Sequence, residues 1–236
     1  MKFLVIKNAG HENPGIFGMI MDKYRIKYDL LEQTDETELP NPDNYTALLI
    51  MGGAFSANDK TPKIQNQIEY VKKLIAIDKP VLAVCLGFQI LAKAAGCEVL
   101  RAPVKEVGWF SKDEKQYEIR LTPDGAKDPI FKGMHETTNV FHLHGETISL
   151  NDNVKLLATG NLVENQVIRV GKNMYGVQFH FELTSEMLVE WHRIDPWLNK
   201  TNLGDLKEIY RISFADYYTN ANKLFENFIE IVQQAK

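Results

Sequence analysis

Of the two cysteines in this 236-residue chain, one sits where a cysteine can act as a nucleophile. In Val81-Leu82-Ala83-Val84-Cys85-Leu86-Gly87-Phe88-Gln89 an apolar strand-like run leads directly into a cysteine, then into a glycine and a helical pattern. A strand-to-helix turn this sharp lifts the side chain at its apex above the sheet edge. It needs small residues on either side because the backbone folds back on itself, and Ala83 and Gly87 supply them. At the apex Cys85 faces the positive end of a helix dipole, which favours the thiolate. The N–H of Leu86 points to where an oxyanion would form. A buried cysteine at the end of a core strand produces the same short pattern. Cys97, between Gly96 and the apolar Val99-Leu100, has no elbow around it and reads as structural.

A base for such a nucleophile is offered by Tyr175-Gly176-Val177-Gln178-Phe179-His180-Phe181-Glu182. Residues two apart on a strand point to one face, so His180 and Glu182 are expected to project together. A carboxylate beside an imidazole fixes its tautomer and stabilises its charged form, as a Cys–His pair requires. A polar strand end in contact with solvent would read the same way. Leu49-Ile50-Met51-Gly52-Gly53 is an apolar run ending in two glycines. Such a turn lets the backbone approach a ligand closely and present N–H groups to an anion, though ordinary glycine turns share the pattern. His142 and His144, in Val140-Phe141-His142-Leu143-His144-Gly145-Glu146, have the spacing of zinc ligands on a strand. No further Cys or His pair completes a set, so no metal is expected there.

The elements that must hold these groups alternate along the chain. Residues 2–7, 25–30, 45–51 and 80–85 read as strands. Residues 62–77 carry a helical stripe of Ile64, Ile68, Val71 and Ile75, and residues 87–95 form a helix capped by Gly96. This order predicts a parallel sheet covered by helices. Residues 117–121, 140–143, 154–158, 167–170 and 175–180 are short strands, read as an antiparallel extension followed by a return to the main sheet. Helical patterns then run from Thr184 to the end, broken at Pro196. No repeat or linker divides the chain, so residues 1–236 are expected to form one domain, with a C-terminal helical segment over 184–236.

A formal net charge of −4 provides no basic surplus for phosphates, which argues against nucleic acid and anionic membranes as partners. Two cysteines are too few for a secreted disulfide scaffold. The N-terminal apolar run ends at Ile6, short of a signal-peptide core, and no stretch approaches the roughly 20 apolar residues of a membrane span. A soluble, cytoplasmic protein is the expectation.

Taken in order, a Gly-Gly strand end, a Cys-x-Gly-x-Gln elbow, a His-Gly-acid loop and a terminal His-x-Glu resemble the class I glutamine amidotransferases. The likeness is to the stand-alone, GMP-synthase-like branch and covers roughly residues 1–190. The resemblance implies a flavodoxin-like α/β fold whose central, mostly parallel sheet is flanked by helices, with a small antiparallel extension. It implies a Cys-His-Glu glutaminase needing no cofactor, with Cys85 as nucleophile, His180 as base and Glu182 as its orienter. Gly53 and Leu86 match oxyanion-hole positions. Gln89 and the backbone around Gly145 match positions that hold the glutamyl head group. Ammonia would pass to a synthase partner or be released; the oligomeric state is not readable. Ala54, Ala83 and Glu146 depart from residues common in the family, which leaves the γ-glutamyl substrate open. A γ-glutamyl peptidase of the same fold is the first alternative. Cysteine-elbow proteins of the DJ-1 type are a second, weakened because Leu86 rather than histidine follows Cys85. The chain has neither a Ser-Gly-Gly-x-Asp-Ser nor a Gly-x-x-x-x-Gly-Lys loop, so ATP use by these residues is not expected. Trp109 and Phe110 could line the leaving-group side of the site or belong to the core.

Overall fold

Phe3, Leu4, Val5 and Ile6 are all buried, so the first strand has apolar neighbours on both faces, as a central strand of a parallel sheet must. In the computed structural model, which describes residues 1–235, it is β1 (Lys2–Lys7). It is followed by α1 (Gly15–Lys23), β2 (Lys27–Glu32), β3 (Ala47–Ile50), α2 (Pro62–Ala76), β4 (Val81–Val84) and α3 (Leu86–Ala94). The middle of the chain supplies β5 (Val99–Gly108), β6 (Glu118–Leu121), β7 (Thr137–Asn139), β8 (His142–Ile148), β9 (Val154–Gly160), β10 (Asn165–Val170) and β11 (Met174–Val177). Two helices close it, α4 (Ser185–Ile194) and α5 (Leu203–Gln234).

The main sheet has nine strands in the order β2-β1-β3-β4-β11-β10-β9-β6-β7. Strands β2, β1, β3, β4 and β11 run parallel, and β10, β9, β6 and β7 continue antiparallel. The expected architecture is therefore the observed one, including the return of β11 to the parallel block beside β4. Strands β5 and β8 pair separately as a two-stranded antiparallel sheet. One core lies between the sheet and α1, α4 and α5; a second lies between the sheet and α2 and α3. Pro62 starts α2 at a position where its missing N–H costs nothing. Gly96, just past the end of α3, has φ of 92°, a conformation side chains resist.

Three local expectations change. Helix α1 has no counterpart among the elements expected from the sequence, because Gly15-Ile16-Phe17-Gly18 is a weak helix former. It forms because Ile16, Phe17, Ile20 and Met21 are buried, with Phe17 stacked on Phe225 of α5 at 4.7 Å. Of the strand expected over 140–143, only His142 and Leu143 lie in a strand, β8, which pairs with β5; Val140 lies outside any strand and Phe141 forms only an isolated bridge. The strand expected over 175–180 stops at Val177, and His180 forms only an isolated bridge to Phe141.

Candidate active site

Parallel strands share a direction, so β1, β3, β4 and β11 end at the same edge of the sheet, where open α/β sheets place their ligands. Asn8 and Glu12 follow β1, Gly52 and Gly53 follow β3, Cys85 follows β4 and His180 follows β11. The backbone at Cys85 has φ of 52° and ψ of −106°, a strained conformation for a residue with a side chain. It is held there by Cys85 N–H donating to the Val177 carbonyl at 2.9 Å and by the Gln89 N–H donating to the Cys85 carbonyl at 3.1 Å. Gly87 cannot be larger: a Cβ there would stand 2.2 Å from the Ile50 carbonyl oxygen of β3.

His180 and Glu182 meet as expected, although they lie beyond the strand. His180 Nδ1–H donates to Glu182 Oε1 at 2.6 Å, with the carboxylate fully buried. Burial alone would lower the His180 pKa. The Glu182 carboxylate and Cys85 outweigh it and hold the imidazole well above its usual value. Nδ1 is committed to Glu182, while among the described residues Nε2 has no partner and is free to meet a further group. Cys85 influences His180 electrostatically, while its Sγ rests 3.9 Å from the Leu143 carbonyl oxygen, a loose contact of the kind unliganded sites show. His180 is braced from the C-terminal helices: Tyr217 Oη donates to its carbonyl at 2.6 Å, and Trp191 packs edge-on against its ring at 4.9 Å.

Cys85, Leu86, Gln89, Gly53, Gly145 and His180 all line one cavity of about 520 Å³, so the structure gathers the expected residues, and Glu182 stands behind His180. A Cβ on Gly53 would lie 2.8 Å from Asn8 Cβ and 3.2 Å from Leu86 Cδ2, so Gly53 packs directly against the Asn8 and Leu86 side chains. Gln89 is buried, and its Nε2 donates to Gln178 Oε1 at 3.1 Å and the Glu146 carbonyl at 3.3 Å. Glu146 Oε1 in turn accepts from Ser56 Oγ at 2.9 Å, tying the Gly145 loop to the loop after β3.

Several lining residues belong to no motif legible in the sequence. Glu12 is buried beside His180, and desolvation raises its carboxyl pKa to about 7, with His180 opposing and Glu182 adding to the rise. Trp197, from the connection between α4 and α5, covers Gly145 at 3.2 Å from its would-be Cβ, and Lys105 Nζ lies 3.6 Å from the Trp197 ring centroid. Trp109 and Phe110 contribute nothing to the wall. Trp109 is a core residue packed edge-on against Phe141 at 4.6 Å, and Phe110 is partly exposed away from the cavity.

The reason for expecting no ligand set around His142 and His144 also needs correction. Glu106, on β5, brings a buried carboxylate to them: its Oε2 is 2.9 Å from His144 Nε2 and 3.6 Å from His142 Nε2. The geometry has a metal-free account. His144 Nδ1 faces the Glu146 carbonyl oxygen at 3.0 Å and must carry a hydrogen there. A single proton between Nε2 and Glu106 then satisfies the opposite side. His142 is held neutral, its pKa driven well down by burial and by the neighbouring His144 and His180. The pair thus anchors the strand that carries Gly145.

The model of the family described as glutamine amidotransferase class-I matches residues 20–188. The chain belongs to the class I glutamine amidotransferases. One subunit of the glutamine-hydrolysing GMP synthase of Methanothermobacter thermautotrophicus is 30% identical over 197 residues, covering 81% of this chain and 92% of that one. The glutamine amidotransferase-like protein YfeJ of Salmonella typhimurium is 28% identical over 152 residues, and the match spans 62% of this chain and 61% of that protein. Among solved structures, a glutamine amidotransferase from Thermotoga maritima superposes with a TM-score of 0.86 over 98% of both chains at 24% identity, a likeness of fold. No helix of the described residues is long and apolar enough to cross a membrane.

Proposed function

We propose that this class I amidotransferase hydrolyses the side-chain amide of glutamine through a thioester on Cys85, releasing glutamate and ammonia. The observation that carries the reading is the convergence, in one cavity, of a cysteine on a strained elbow with a buried His180–Glu182 pair whose free nitrogen is Nε2. Cys85 gives its proton to His180 and its sulfur attacks the amide carbon. The Gly53 and Leu86 N–H groups stabilise the oxyanion. His180 returns the proton to the departing nitrogen, then activates the water that releases glutamate. Glu182 holds the imidazole in the required tautomer. Gln89 and the Gly145 loop seat the glutamyl head group. No step calls for a cofactor or metal. The likeness to the GMP synthase of Methanothermobacter thermautotrophicus supports a synthase partner that accepts the ammonia. The brace from Tyr217 to His180 supports residues 1–236 working as one unit.

One observation favours a second reading, a γ-glutamyl peptidase. A cavity of about 520 Å³ walled partly by Trp191, Ile194, Pro196 and Trp197 has far more room than ammonia needs. The two readings separate in one ratio, kcat/KM for glutamine over that for a γ-glutamyl dipeptide. Glutamine is expected to win. A dipeptide preferred tenfold, about 1.4 kcal/mol at the transition state, would make the protein a peptidase.

A further inference from the structure

Glu12 is 6% exposed, yet its Oε2 has no hydrogen-bond partner among the described residues. A buried carboxyl oxygen left unpaired is costly and calls for a ligand. Among the described residues its companion Oε1 has only the half-buried His11 nearby, whose Nε2 lies 3.6 Å away. The loop that carries Glu12 is not free to turn away. His11 O accepts from Trp191 Nε1 at 3.4 Å, Glu12 N–H donates to Ala9 O at 3.0 Å, and Ile16 N–H donates to Glu182 O at 2.9 Å. The carboxyl is thus pinned to the same elements that hold the triad.

Its neighbours show what it faces. A Cβ on Gly52 would lie 3.0 Å from Glu12 Oε2, 3.2 Å from His180 Cε1 and 3.6 Å from Cys85 Cβ. The carboxyl, the base and the nucleophile therefore meet around one glycine that leaves the space between them open. A carboxylate oxygen of Glu12 and a ring nitrogen of His180 lie within 4.8 Å of each other. The leaving nitrogen of an amide has to reach His180 Nε2 to be protonated, and Nε2 adjoins the Cε1 that shares the space at Gly52 with Glu12 Oε2.

We propose that Glu12 holds the leaving nitrogen: its unpaired oxygen accepts an N–H of the scissile amide and turns the nitrogen lone pair toward His180 Nε2. This rests on the amidase reading of the site. When the tetrahedral adduct on Cys85 collapses, the carbonyl re-forms and the C–N bond breaks. The bonding pair goes to nitrogen, which takes the Nε2 proton of His180, so a neutral amine or ammonia leaves and the thioester remains. Glu12 neither gains nor loses a proton in this step; it fixes the geometry in which the proton transfers. Because the contact requires an N–H on the leaving atom, Glu12 makes the site selective for amides over esters.

The test compares glutamine with the γ-methyl ester of glutamate, which has the same head group and no N–H on its leaving atom. For Glu12→Met, of similar volume but with no acceptor, kcat/KM for glutamine is expected to fall about 30-fold, as for loss of one hydrogen bond to a charged group, with the ester changed less than about threefold. Glu12→Gln, which keeps one acceptor oxygen, is expected to show the same amide-selective loss at smaller size. That second variant keeps the test decisive if the Met variant folds poorly. An equal fall on amide and ester would show that Glu12 only supports His180, overturning this inference and leaving the amidase reading intact. Wild-type protein that hydrolyses neither compound would overturn both.

Discussion

Replacing Cys85 by alanine is expected to remove essentially all hydrolysis of glutamine, a loss on the order of 10⁴-fold or more, as in other triads stripped of their nucleophile. The size of the effect follows from the site having no substitute. Cys97 is the only other thiol in the sequence; it is buried, and desolvation raises its pKa, which suppresses the reactive thiolate. It also packs among the residues on the opposite side of the sheet from His180 and its supports. The substitution should leave the fold in place, because alanine relieves a small volume and the elbow is held by backbone hydrogen bonds from Val177 and Gln89. Steady-state glutamate release by a variant of unchanged circular dichroism measures the effect. Turnover within tenfold of wild type would remove Cys85 from the chemistry.

The second large effect is expected at Glu182. Glu182→Gln keeps the size of the side chain but can present an N–H to His180 Nδ1, which favours the wrong tautomer; kcat should fall by about 10³- to 10⁴-fold. Glu182→Asp retains the charge at a longer reach and should lose less. The pH profile distinguishes this role from a merely structural one. Glu182 is a principal cause of the elevated pKa of His180. In the wild type, His180 stays protonated until the pH rises through that elevated value. Without the carboxylate the imidazolium is lost at lower pH, so the alkaline limb of kcat/KM should move to lower pH in Glu182→Gln. Equal rates and an unmoved limb in that variant would show that the pair only supports the strand end.

The parts of this site that were legible in the sequence are those written in local chain geometry. A strand run, a small residue, Cys85, another small residue and a helix fall within nine consecutive positions, and Gly87 is needed because the Ile50 carbonyl occupies the place of its side chain. The pairing of His180 with Glu182 is legible in their spacing, although the strand that spacing assumes is not there. β11 ends at Val177 and the chain bends on either side of His180, yet His180 Nδ1 still meets Glu182 Oε1 at 2.6 Å. Helix α1 was hidden because its glycines oppose a helix, and packing on α5 overrides them. Glu106 was hidden by distance: it lies 38 residues from His144, and only the β5–β8 pairing brings them together. Glu12 sits in a loop whose conformation is set by bonds to Trp191 and Glu182, more than 160 residues away along the chain. Trp197 likewise reaches the cavity from a connection with no periodic pattern of its own. Residues that line the wall from loops are specified by tertiary contacts, and a single sequence carries little trace of those.

One covalent bond tests the role of Cys85 most directly. A γ-glutamyl analogue bearing an electrophilic carbon in place of the amide, incubated with the protein and followed by intact-mass and peptide mass spectrometry, should add one label per chain. That label should lie on the peptide containing Cys85, and excess glutamine should slow its appearance. A label on Cys97, or no label under conditions where glutamine binds, would contradict the assignment of Cys85 as the nucleophile.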